Sequence, residues 1–135
     1  MTQRSALLVL QRLQVIQHIA SRLASLHKAG YAHRDLKPGN VMWLPRENRW
    51  TIIDFGCAAR IGSSARMGFS VLYAAPEVIQ AFRNGQKTIV AQGALDAWAL
   101  GILAYELFSG APVLEAPQSQ DDVSPFLCCM PAALL

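Results

Sequence analysis

Asp35, Lys37, Asn40 and Asp54 are the residues of this chain whose types and spacing suit chemistry. A hydroxyl that attacks an electrophile needs a carboxylate within hydrogen-bond reach to orient it and accept its proton, and Asp35 is the candidate. Lys37, two positions on, faces the same side of an extended loop and can neutralise charge on a transferring group. Asn40 and Asp54 offer hard oxygen atoms, which suit magnesium, a cation that shares its shell with waters and phosphate oxygens. A base, a cation and two metal-binding oxygens are the parts that moving a phosphoryl group from a nucleotide to a hydroxyl requires. Taken singly, each has a bland explanation: an Asp caps a turn and a Lys is a solvated charge.

Elements of definite type must hold these residues in place. Leu13, Ile16, Ile19-Ala20, Leu23 and Leu26-His27 recur at three- and four-residue intervals, which predicts an amphipathic helix from Leu7 to Lys28 that stops at Gly30. Val41–Leu44 and Trp50–Ile53 read as two short strands, with Pro45-Arg46-Glu47-Asn48 as the turn between them. Such a hairpin places Asn40 at one end and Asp54 at the other, close in space. Residues 57–75 are small and polar and read as a loop with little reason to be rigid alone. A short helix is expected from Pro76 to Arg83, ended by Asn84-Gly85. A second runs from Leu95 to Ser109, apolar on most sides and therefore expected to be buried. From Ala111 onward Pro112, Pro117, Pro125 and Pro131 punctuate a stretch without periodicity, read as loop or disordered.

Composition excludes several classes. The chain has 135 residues, 53% hydrophobic and 16% charged, which fits one globular domain and not a disordered tail. The net charge is +3, and the 12 basic residues are scattered without aromatic interleaving, so nucleic acid is not an expected partner. No uncharged apolar run reaches the roughly 18 residues of a membrane span. The three cysteines, Cys57 and the adjacent Cys128-Cys129, form neither a disulfide framework nor a zinc-spaced set, so a cytoplasmic or nuclear location is expected. Cys128-Cys129 beside Phe126-Leu127 reads as an apolar tail, with a lipidation site as the lesser alternative.

The order H-R-D-x-K-x-x-N from His33 to Asn40, followed by D-F-G from Asp54 to Gly56, resembles the catalytic and magnesium-binding loops of the eukaryotic protein kinases. Tyr73-Ala74-Ala75-Pro76-Glu77 is similar to the end of their activation segment. Ser70 matches the position where Ser/Thr kinases carry a Thr that contacts the catalytic Asp and Lys. Asp96-Ala97-Trp98-Ala99-Leu100-Gly101, then Tyr105-Glu106-Leu107, resembles the central helix of their C-lobe. The resemblance spans about residues 12 to 112 and implies an α+β, mainly α fold: a kinase-like C-lobe core with small β-hairpins. The expected organisation is a partial kinase domain over 1–112 and a tail over 113–135.

What the resemblance implies for function is a Ser/Thr protein kinase that transfers phosphate from ATP, with Mg2+, to a protein Ser or Thr hydroxyl. Asp35, Lys37 and Asn40 take the catalytic places, Lys37, Asn40, Met42 and Asp54 contact the nucleotide, and Asn40 and Asp54 hold the metal. Met42 is expected under the adenine ring, resting on Leu103 and Leu107. His33 and Phe55 belong to a packed column anchored by Asp96. Arg34 is the cation that often receives an activation-loop phosphate, with Ser63, Ser64 and Ser70 as candidate sites. Phosphotransferases acting on aminoglycosides or choline share an H-x-D-x-x-x-x-N loop and a later Asp, but usually lack the Arg, the A-P-E and the D-x-W-x-x-G helix present here.

The chain departs from the family pattern before His33, where no glycine-rich strand pair, phosphate-gripping strand Lys or Lys-pairing Glu is found; Gly30 and Lys28 are the only Gly and Lys there. The expectation is therefore an incomplete kinase domain lacking the N-lobe, with Met42 facing water and Glu77 without its usual Arg. The alternative reading is a catalytically inactive kinase-like module that acts by protein–protein interaction.

Overall fold

A computed structural model describes residues 3–113; apart from Val113, the expected tail, with Cys128 and Cys129, lies outside them. The fold is α+β and mainly α, as the sequence implies. Helix α1 (Gln3–Lys28) is followed by β1 (Tyr31–Ala32), β2 (Val41–Leu44), β3 (Arg49–Ile52), β4 (Ala59–Arg60), β5 (Ser64–Arg66), α2 (Pro76–Arg83), β6 (Thr88–Val90) and α3 (Gly93–Ser109). Among the described residues three antiparallel pairs, β1–β4, β2–β3 and β5–β6, take the place of a continuous sheet.

Helix α1 buries Ile19 and Leu23, with Val15 and Ile16 against the same cluster. Leu13, expected on that stripe, is 50% exposed: at 100° per residue it lies about 120° around the helix from Ile19. Beside α1 sit Leu36, the inward Ile52 of β3, and Ala99 and Leu103 of α3, which close one core cluster. A second gathers Ala75, Val78 and Leu95, with Met67, Phe69, Ile89 and Trp98 packed against it. Helix α3 contributes to both and is the spine of the molecule. It is not buried on all sides, however: Ala97, Gly101, Tyr105 and Phe108 form an exposed stripe that no described element covers.

The β2–β3 hairpin pairs Val41 with Ile52 and Trp43 with Trp50. The two indoles lie 5.4 Å apart and tilted by 56°. Asn48 closes the turn at φ 48°, in the left-handed region that Asn tolerates. His18 of α1 accepts a hydrogen bond from the Trp50 amide at Nδ1, 3.1 Å away, which fixes the hairpin to the helix.

The stretch 57–75 is more ordered than the sequence suggests. It contains β4, β5 and a 3-10 turn at Val71–Tyr73, each held by a segment distant in sequence. Ala65 and Ile89 face inward across β5–β6, while Ser64, Arg66, Thr88 and Val90 are exposed, the alternation expected of strands with one buried face.

Candidate active site

Asp96 near the start of α3 is the organising group. Its side chain is fully buried, and its carboxylate accepts hydrogen bonds from the backbone amides of His33 (2.8 Å) and Arg34 (2.7 Å) and from His27 Nε2 (2.8 Å). A buried carboxylate is tolerable only when satisfied in this way. The bonds hold Arg34 at φ 70°, a left-handed conformation that costs a non-glycine residue about 1–2 kcal/mol. His27 is a participant that sequence reasoning missed; its position in the last turn of α1 gives no sign of a partner on α3.

His33 is buried beneath the loop. Its Nε2 donates to the Ile53 carbonyl (3.0 Å), so Nδ1 is the free acceptor, and the Asp35 amide reaches it at 3.3 Å. The Phe55 ring meets the imidazole edge-on, centroids 5.2 Å apart. Asp96, His33 and Phe55 thus form the connected column implied by the resemblance, and Asp35 projects from it.

Around Asp35 the expected residues converge. Ser70 Oγ donates to Asp35 Oδ1 at 2.7 Å and accepts from Lys37 Nζ at 2.9 Å. Lys37 Nζ also lies 3.1 Å from Asp35 Oδ2. Asn40 Nδ2 donates to the Asp35 carbonyl at 2.8 Å and to its carboxylate at 3.3 Å. Those bonds occupy the amide nitrogen and leave the amide oxygen for a cation. The Ile53 amide donates to the Asn40 carbonyl at 2.9 Å, which continues the β2–β3 ladder and brings Asp54 to the same end of the hairpin as Asn40. Asp54, an exposed residue, stands at φ 61° with Oδ1 accepting from the Gly56 amide at 3.1 Å in an Asx-type turn. An amide oxygen and a carboxylate oxygen at the same end of one hairpin fit the hard-donor chemistry of magnesium.

Met42 lies one strand position beyond Val41 and is 42% exposed. It presents an apolar surface to solvent next to Asn40, the side on which a nucleotide base is expected. Glu77 is also exposed, so its charge is solvated and carries no buried-charge penalty. Tyr73 donates to Glu106 Oε2 at 2.6 Å, a link between the 3-10 turn and α3 that the spacing of the two residues did not announce. Burial, that hydrogen bond and the Glu106 charge together push the Tyr73 hydroxyl pKa far above the ordinary tyrosine value. Among the described residues no helix is long and apolar enough to cross a membrane.

Comparison with known proteins agrees with this geometry. The protein kinase domain family matches residues 3–132. A calcium and calcium/calmodulin-dependent serine/threonine-protein kinase of Lilium longiflorum is 39% identical over 114 residues, covering 80% of this chain and 20% of that protein. The maternal embryonic leucine zipper kinase of Danio rerio is 39% identical over 101 residues, 70% of this chain and 14% of its own length. The human serine/threonine-protein kinase Kist is 34% identical over 116 residues, 79% of this chain and 28% of its own length. The chain spans between 14% and 28% of the length of these relatives. Motif order, a catalytic-type loop hung from a buried helix Asp, and the extent of the match together establish that this chain belongs to the protein kinase domain family.

Proposed function

We propose that the chain carries the catalytic loop of a Ser/Thr protein kinase, which transfers the terminal phosphoryl group of ATP to a protein hydroxyl. The observation that supports this most directly is the closed network of Asp35, Lys37 and Ser70. It holds a carboxylate and an ammonium group facing one site, linked through a hydroxyl at 2.7 and 2.9 Å. Asp35 orients the acceptor hydroxyl and takes its proton late in the transfer. Lys37 offers positive charge where phosphoryl oxygens pass, and its hold on Ser70 fixes the ammonium group in place beforehand. Asn40 and Asp54 are the residues that would hold magnesium, which when bound neutralises phosphate charge, and Met42 with Lys37 completes the nucleotide contacts. These 135 residues contain no glycine-rich loop or strand Lys to complete phosphate alignment, so the reading concerns the catalytic loop they carry.

A second reading rests on a different observation. Met42, Trp43 and Phe55 are 42%, 36% and 53% exposed on the hairpin and the loop that follows it, apolar surface suited to partner binding without catalysis.

The test is phosphate transfer from labelled ATP to Ser/Thr peptides by the full-length protein. Asp35→Asn is expected to lower kcat by about 10²–10⁴-fold with the fold intact by circular dichroism. Undiminished turnover in that variant would refute the role given to Asp35, and no transfer by the wild type across a broad peptide library would favour the binding module.

A further inference from the structure

The segment between α2 and α3 has no part in the chemistry above, yet it makes the most extensive backbone contact with the stretch leading to Ser70. Strand β6 pairs with β5 in the register Ser64↔Val90, Ala65↔Ile89 and Arg66↔Thr88. The pairing continues past both ends. Gly62 N donates to the Ala91 carbonyl (2.8 Å), Ala91 N to the Ser63 carbonyl (2.9 Å) and Met67 N to the Lys87 carbonyl (2.9 Å). Ile89 sits on the inner face, in the cluster that includes Met67 and Phe69. Phe69 in turn meets Phe82 of α2 edge-on at 5.5 Å, and the next residue is Ser70.

Arg34 supplies the other half of the observation. One terminal nitrogen donates to the Cys57 carbonyl at 3.0 Å and the other to the Arg66 carbonyl, in β5, at 2.6 Å. Its Nε is buried and has no partner. The guanidinium is therefore engaged with main-chain oxygens on both sides of residues 58–65. A phosphate on Ser63 or Ser64 would compete with these carbonyls for the guanidinium, and Ser63 Oγ already donates to the Arg60 carbonyl at 2.7 Å.

From these contacts we propose that β6 is a built-in clamp. By strand pairing and the Ile89 side chain it holds Gly62–Phe69 in the conformation that presents Ser70 to Asp35 and Lys37, and it does so without a phosphate on the segment. Thr88, Ile89 and Val90 are positioning residues, acting on Asp35 through β5 and Ser70. The catalytic consequence rests on the phosphoryl-transfer reading; the ordering of the segment does not.

The experiment is hydrogen exchange with mass spectrometry on full-length protein treated with phosphatase and shown by mass to be unphosphorylated, with peptide phosphorylation measured alongside. Peptides covering Ser64–Arg66 and Thr88–Val90 are expected to be protected in that state. Replacing Thr88-Ile89-Val90 by Gly-Ser-Gly, or making Ile89→Ser alone, should speed exchange over Ser64–Arg66 by about tenfold or more while leaving peptides of α1 and α3 unchanged. In the same variants kcat should fall about tenfold or more, whereas a Ser63→Ala/Ser64→Ala protein should stay within about twofold of wild type. Fast exchange of Ser64–Arg66 in the unphosphorylated wild type, or activity that disappears on phosphatase treatment, overturns the clamp. Protection with no transfer under any condition supports the clamp as a structural device and tells instead against the proposed function.

Discussion

Tyr73 and Glu106 show how one hydrogen bond ties the loop around Ser70 to the central helix. The Tyr73 hydroxyl donates at 2.6 Å to Glu106, and its folded pKa lies above the ordinary value of 10.0 because the neutral form is the one the site favours. The stabilisation attached to that shift is complete below about pH 10 and is lost progressively as pH climbs toward the folded value, since the unfolded chain releases this proton first. Tyr73→Phe is expected to cost about 1–2 kcal/mol at neutral pH in urea unfolding and to flatten the loss of stability above about pH 10. Phenolate absorbance should show a late-ionising tyrosine that the Tyr73→Phe protein lacks. An alkaline stability profile unchanged by the substitution would contradict this account.

At the scale of elements, α3 begins against α1 with almost no room. A Cβ added to Gly93 would lie 3.0 Å from both Cε1 and Nδ1 of the His27 ring, the ring whose Nε2 donates to Asp96. Alanine would normally favour a helix, but here the methyl group presses on a ring fixed by a buried carboxylate. Gly93→Ala is expected to destabilise by about 1 kcal/mol or more. In a His27→Ala background the same substitution should become neutral or stabilising, and a double-mutant cycle in thermal or urea unfolding measures the difference. The elements differ in how far the sequence announced them. The helices and the β2–β3 hairpin were legible because Ile16, Ile19 and Leu23 repeat at helical spacing and two β-branched, aromatic runs flank a Pro-Asn turn. Strands β4, β5 and β6 were not: each has two or three residues, too few to show a period, and each exists through a partner distant in the chain. The motif picked out Asp35, Lys37 and Asn40, which the fold brings together with Ser70, but the hydrogen bonds of His27, Arg34 and Tyr73 depend on α1, β5 and α3 meeting in space, which local spacing does not encode.

For the molecule as a whole, two core clusters share α3, while large apolar side chains remain outside both. Leu7, Leu10 and Leu13 on the first half of α1 are 57%, 62% and 50% exposed, and Leu8 lines a groove of about 510 Å³ with Trp43, Trp50 and Leu107. A surface of this kind promotes association of the chain when nothing covers it. Changing Leu7, Leu10 and Leu13 together to Gln is expected to alter unfolding free energy by less than about 0.5 kcal/mol per site, because Gln is a good helix former and little burial is lost. Light scattering and hydrophobic-dye fluorescence of the 135-residue chain should both drop. An unchanged signal would place the association surface elsewhere.

The tilted pair Trp43 and Trp50 sits on the hairpin that brings Asn40 and Asp54 together, whereas Trp98 belongs to the other core cluster. Two indoles 5.4 Å apart and inclined at 56° couple their transition dipoles, so their circular dichroism splits into bands of opposite sign. That couplet is an optical signal native to the β2–β3 hairpin. Its amplitude, followed against temperature or added magnesium nucleotide, records whether the hairpin keeps its shape while backbone ellipticity records the helices, and Trp43→Phe supplies the blank.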